Sequence, residues 1–63
     1  MELIADKSYT FEIEDKKYTG IYVNTSFDNE LKILKINYIN EENIYCSLYF
    51  DFSEDNLTMN LNE

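Results

Sequence analysis

The stretch Ile44-Tyr45-Cys46-Ser47-Leu48-Tyr49-Phe50-Asp51-Phe52 alternates without a break. Ile44, Cys46, Leu48, Phe50 and Phe52 fall on one side, and Tyr45, Ser47, Tyr49 and Asp51 on the other. Successive side chains of an extended strand point to opposite faces. The period therefore predicts a strand with one apolar side packed into a core and one polar-aromatic side turned away from it.

Outward from this strand the same period recurs. Leu57, Met59 and Leu61 alternate with Thr58, Asn60 and Asn62. Between the two segments, Ser53-Glu54-Asp55-Asn56 has the short polar side chains that hydrogen-bond to their own backbone in turns. The pair is expected to form a hairpin. On the other side, Asn40-Glu41-Glu42-Asn43 predicts a turn leading back to Glu30–Ile39. That segment carries two patterns. Leu31, Leu34 and Tyr38 have helical spacing, with Asp28 or Asn29 available as a cap. Leu34, Ile36 and Tyr38 alternate with Lys35 and Asn37, and Ile33, Ile36 and Ile39 favour extended backbone through their stiff χ1. A strand with a bulge near Ile33 is the expectation, with a helix at 30–39 as the alternative.

Nearer the amino end, Phe11 and Ile13 alternate with Thr10, Glu12 and Glu14, and Asp15-Lys16 reads as a tight connection. On the return strand, Thr19, Ile21 and Val23 share one face and Tyr18, Gly20 and Tyr22 the other. Gly20 is the only glycine. In mid-strand it marks a bulge, a bend, or close approach by another backbone. The predicted fold is all-β: one domain over 1–63, a small antiparallel sheet of four to five strands near 8–14, 17–25, 30–39, 44–52 and 57–62. Leu3 to Ala5 is a further candidate strand. The sheet is read as open or rolled into an SH3-like barrel, and the alternative class is α+β with one helix at about 30–39.

With 63 residues, one cysteine and no histidine, neither an intrachain disulfide nor a structural zinc site is available. A domain of this length buries only about 60% of its unfolded surface. Association with a second copy is therefore expected to supply the missing burial. The start Met1-Glu2-Leu3-Ile4-Ala5-Asp6 has no basic region and no long apolar run, so it does not read as a signal peptide. No membrane helix is expected, because no apolar run exceeds three residues, as in Leu48-Tyr49-Phe50. A cytoplasmic location is the expectation, and a lone thiol suits a reducing compartment.

Charge is the strongest compositional signal. Thirteen acidic residues face five lysines, for a formal net charge of -8. Residues 1–35 hold seven carboxylates and all five lysines; residues 36–63 hold six carboxylates and no base. Such a surface repels nucleic acid and anionic lipid and attracts basic protein. Solubility alone is the plainer account of the same charge.

No catalytic residue, cofactor or metal site is expected. Cys46 sits in an apolar stripe without a neighbouring base. The paired acids Glu12 with Glu14, Glu41 with Glu42, and Asp51 with Glu54 and Asp55 match no calcium loop, and a solvated face explains them. The functional expectation is a non-enzymatic protein-binding module, in its sharp form a small acidic inhibitor or nucleic-acid mimic whose carboxylates occupy the channel of a nucleic-acid-binding protein. Phage-encoded blockers of host nucleases and defence complexes include very short acidic proteins, a likeness of size and charge alone. The partner-binding candidates are Glu41, Glu42, Tyr45, Tyr49, Asp51, Glu54 and Asp55. Tyr18 and Tyr22 are the candidates for pairing in a homodimer. The alternatives are a self-associating structural or adaptor protein, and a small RNA-binding barrel that would need Lys7, Lys16, Lys17, Lys32 and Lys35 to converge.

Overall fold

The computed structural model describes residues 3–62. Five strands follow one another: β1 (Ser8–Ile13), β2 (Lys16–Asp28), β3 (Ile33–Asn40), β4 (Tyr45–Asp51) and β5 (Leu57–Leu61). They form one antiparallel sheet in the order β4-β3-β2-β1-β5, so β4 and β5 are its two edges. The all-β expectation holds. The sheet is not closed into a barrel.

β2 explains the shape. Its first half, Lys16–Ile21, pairs with β1, and its second half, Gly20–Asp28, pairs with β3. Register slips between Tyr22 and Asn24, leaving Val23 unopposed as a bulge. An extra residue reverses the alternation, so the inner face is carried by Tyr18, Gly20 and Tyr22 before the bulge and by Thr25 and Phe27 after it. The polar run Asn24-Thr25-Ser26 hides this continuation, which is why the apolar pattern predicts a strand ending near Thr25. The irregularity expected at Ile33 lies instead in the partner strand. Residues 30–39 form no helix: Asp28 Oδ1 accepts the N–H groups of Glu30 and Leu31, both at 3.0 Å, but it caps only a turn. Lys32 leaves that turn at φ 58°.

Gly20 is not the bulge. It sits where β2 pairs with both neighbours, opposite Tyr9 and Asn40. A Cβ there would lie 2.3 Å from the Ile39 carbonyl oxygen. Glycine is needed because β3 crosses too close for any side chain.

The core is aromatic. Phe11 and Ile36 are fully buried, with Tyr9, Tyr22, Tyr38, Leu48 and Phe50 around them. Tyr9 stacks on Phe11 at 6.0 Å, and Phe11 meets Tyr38 at 6.0 Å. The buried tyrosines keep polar partners, as buried hydroxyls must: Tyr9 Oη accepts the Ile4 N–H at 2.9 Å, and Tyr22 Oη bonds Thr25 Oγ1. Burial pushes the Tyr38 hydroxyl pKa up, with the Cys46 thiol beside it adding to the shift.

Other expectations need correction as well. The predicted β4–β5 hairpin does not form, because β5 crosses to β1, where Leu57, Met59 and Leu61 lie opposite Ile13, Phe11 and Tyr9. This pairing covers the Phe11 ring, which an edge β1 would leave open. Ile44 and Phe52 fall outside β4 and are 54% and 55% exposed, since the core ends at Cys46 and Phe50. Tyr18 and Tyr22 do not share a face with Tyr45 and Tyr49: opposite Tyr18 stands Phe11, and opposite Tyr22 stands Tyr38, so both tyrosines face the core. Tyr22 is buried and Tyr18, partly buried, packs against the same cluster, so neither forms an outer aromatic patch with Tyr45 and Tyr49.

The β1–β2 connection is one residue earlier than Asp15-Lys16. Glu14 and Asp15 form a two-residue loop with φ 46° and 68°, the sign pattern of a type I′ turn, which favours Gly at its second position. Asp15→Gly should therefore stabilise the domain by about 0.5–1 kcal/mol, relief of left-handed strain exceeding the added chain entropy. That corresponds to a rise of a few degrees in melting temperature; a lowered melting temperature would contradict the turn geometry.

Candidate functional site

The outer face of β3 and β4 is built in rows fixed by register. Ser8, Ile21, Ile39 and Tyr45 form one row across four strands. The next holds Asn24, Asn37 and Ser47, then Ser26, Lys35 and Tyr49, and finally Asp28, Ile33 and Asp51. The second row is a hydrogen-bonded ladder: Ser47 Oγ donates to Asn37 Oδ1 at 2.7 Å, and Asn37 Nδ2 donates to Asn24 Oδ1 at 2.6 Å. Asn37 is the buried polar residue of the sheet, and its satisfied amide keeps the ladder rigid rather than costly.

Tyr45 and Tyr49 stand on either side of this ladder, 59% and 63% exposed. Lys35 Nζ lies 5.9 Å from the Tyr49 ring centre, within cation–π range. The two tyrosines thus project from an edge strand as large side chains with wet hydroxyls. Neither is needed by the core.

At each end of β4 is a turn carrying acids. In the first, Asn40 Oδ1 accepts the N–H groups of Glu42 and Ile44, both at 2.9 Å, and Asn43 turns the chain at φ 64°. Asparagine does the structural work there, leaving Glu41 and Glu42 exposed. In the second, the acids partly build the turn themselves. Asp51 Oδ1 accepts the Ser53 N–H at 2.9 Å and Oγ at 2.6 Å, and Asp55 Oδ2 accepts the Asp51 N–H at 3.0 Å. The bonds from Ser53 hold the Asp51 carboxyl pKa below its ordinary value, so it is charged at neutral pH. Asp51 and Asp55 are half-buried and each has committed one oxygen; Glu54 is exposed.

All seven partner-binding candidates therefore lie along β4 or in the turns at its two ends. One contributor lay outside sequence reasoning. Asn56 N–H donates to Glu14 Oε1 at 3.0 Å, which brings the Glu14-Asp15 loop beside Glu54 and Asp55. No local signal reveals this, because it depends on the crossover of β5. Glu12 and Glu14 do not form a strand-face pair, since Glu14 belongs to the loop.

Elsewhere the surface offers little chemistry. A cleft of about 460 Å³ opens between β5 and the β2–β3 half, lined by Leu3, Tyr22, Thr25, Leu34, Leu57 and Met59 among others. It holds no carboxylate, amine or thiol. Cys46 Sγ donates to the Ile44 carbonyl at 3.4 Å. Among the described residues there is no group of three or more metal-ligating side chains and no helix long and apolar enough to cross a membrane. Compared with protein-family models, with curated proteins and with solved structures, the chain matches none.

Proposed function

We propose that the protein is a non-enzymatic binding module that docks the outer face of β4 and its acidic end turns on a basic protein surface, acting as a small acidic inhibitor. The observation that carries this reading is the exposure of Tyr45 and Tyr49 on an edge strand between two acid-bearing turns. No lysine or arginine follows Lys35 in the chain. Tyrosine supplies rigid contact area with a hydrogen-bonding tip, and the unbalanced acids supply steering toward a cationic target. The two acidic groups are separated by the seven residues of β4, about 23 Å at roughly 3.3 Å per residue. That separation lets them stand in for phosphates at well-spaced positions of a nucleic-acid channel, the mimic form of the proposal. A direct RNA-binding role has less support. Lys17 lies opposite Glu12, Lys35 lies over Tyr49, and Lys7 and Lys32 sit in separate turns.

A target captured with the tagged protein should be released both by excess DNA or RNA and by raising salt from about 50 to 500 mM, because exposed charges are screened beyond about 8 Å at physiological ionic strength. Glu41→Gln with Glu42→Gln should slow association, and Tyr49→Ala should speed dissociation. Binding insensitive to salt and to nucleic acid would discard the proposal.

A further inference from the structure

β4 pairs with β3 on one side only. The bonds at its two ends fix which of its backbone groups are used. Asn40 N–H donates to the Ile44 carbonyl at 2.9 Å, and Phe52 N–H donates to the Lys32 carbonyl at 3.0 Å. In an antiparallel ladder the bonded pairs recur every second residue. Cys46, Leu48 and Phe50 therefore turn their N–H and C=O groups toward β3, and Tyr45, Ser47, Tyr49 and Asp51 turn theirs outward. At Asp51 the outward groups are already taken, the N–H by Asp55 Oδ2 and the C=O by the N–H groups of Glu54 and Asp55 at 3.2 and 2.9 Å. Among the described residues no other group takes those of Tyr45, Ser47 and Tyr49, which are left as a row of open donors and acceptors.

Natural edge strands are usually blunted by lysine, proline or a bulge. β4 contains no lysine or proline, and its register against β3 is unbroken. We infer that the free edge of β4 takes an extended, basic segment of a partner protein as a sixth strand, its backbone paired to Tyr45, Ser47 and Tyr49 and its terminal cations set against Glu41 and Glu42 at one end and Glu54 and Asp55 at the other. Charge selects this occupant over a second copy: a chain of net charge -8 repels itself, whereas a segment with a lysine or arginine at each end of a neutral stretch meets an acid at both. Backbone pairing of this kind gives affinity with little demand on the central side chains. Among the described residues the edge of β5 is also free, but its acids, Glu54 and Asp55 with Glu14 and Asp15, gather at one end of the strand only. The inference rests on the acidic-docking reading and names the form of the partner.

The test uses isotope-labelled full-length protein and the synthetic peptide Lys-Thr-Val-Thr-Val-Thr-Lys, blocked at both ends. Binding should shift and protect the amide protons of Tyr45, Ser47 and Tyr49, while those of Cys46, Leu48 and Phe50, already paired to β3, change little. The same peptide N-methylated at the residues facing β4 should bind about tenfold more weakly or worse, as expected for losing two or three backbone hydrogen bonds. Replacing both lysines by glutamine should weaken binding and remove its salt dependence. Equal binding of the N-methylated peptide, or shifts without the alternating pattern, would overturn strand addition and leave acidic docking standing. Equal binding of the glutamine peptide would overturn the choice of a basic occupant and count against acidic docking as well. Absence of peptide binding while basic proteins still bind in a salt-sensitive way would likewise overturn strand addition alone. Protection of the same three amides by protein concentration alone, with a dimer in sedimentation, would assign the edge to a second copy.

Discussion

Phe11→Ala is expected to leave most of the domain unfolded at room temperature. Its ring is fully buried, with Tyr9 and Tyr38 rings 6.0 Å away and with Tyr18 and Met59 as its cross-strand neighbours. Truncating a buried phenylalanine costs about 3–5 kcal/mol through lost transfer energy and the cavity left behind. A core of this size rarely supplies more than about 3–5 kcal/mol in total. The two quantities are comparable, so one substitution is enough. Loss of amide dispersion in the nuclear magnetic resonance spectrum and of a cooperative urea transition would show it. A cooperative transition with a midpoint near that of the parent would mean that β5 does not cover the ring.

Gly20→Ala should be the second most damaging change, and the sign is the informative part. In an ordinary strand, alanine in place of glycine stabilises by roughly 0.5–1 kcal/mol through reduced chain entropy. Here the added methyl would lie 2.3 Å from the Ile39 carbonyl oxygen, 2.9 Å from the Ile39 carbonyl carbon and 2.6 Å from Tyr38 Cδ2. Two of those atoms are backbone, and the third belongs to a buried ring packed on Phe11. Relief requires moving β3, so the expected cost is about 1–3 kcal/mol or more. Chemical denaturation of the purified variant measures it directly. An unchanged or raised midpoint would show that β3 does not approach β2 at this position.

Several features lie in the residues themselves. The alternation from Cys46 to Phe50 established the strand, its buried side and the outward direction of Tyr45 and Tyr49. Asn40 to Asn43 and Ser53 to Asn56 marked the turns, and the concentration of acid after Lys35 made both turns negative. These are local properties: period two, short polar side chains and charge act within a few residues, so one sequence suffices to read them.

What only the tertiary structure decided is non-local. β5 could satisfy its backbone against β4 or β1, and its Leu57, Met59 and Leu61 pattern suits either. Covering Phe11 selects β1, and that choice leaves the β4 edge open. Val23 carries no mark of a bulge, yet by taking one extra residue into β2 it reverses which side chains face inward. Tyr18 and Tyr22 have the same chemistry as Tyr45 and Tyr49, but register against Phe11 and Tyr38 buries the first pair and pairing on the outer face exposes the second. Each of these is set by which strand lies beside which, and strand neighbours distant in sequence are chosen by burial of the whole core.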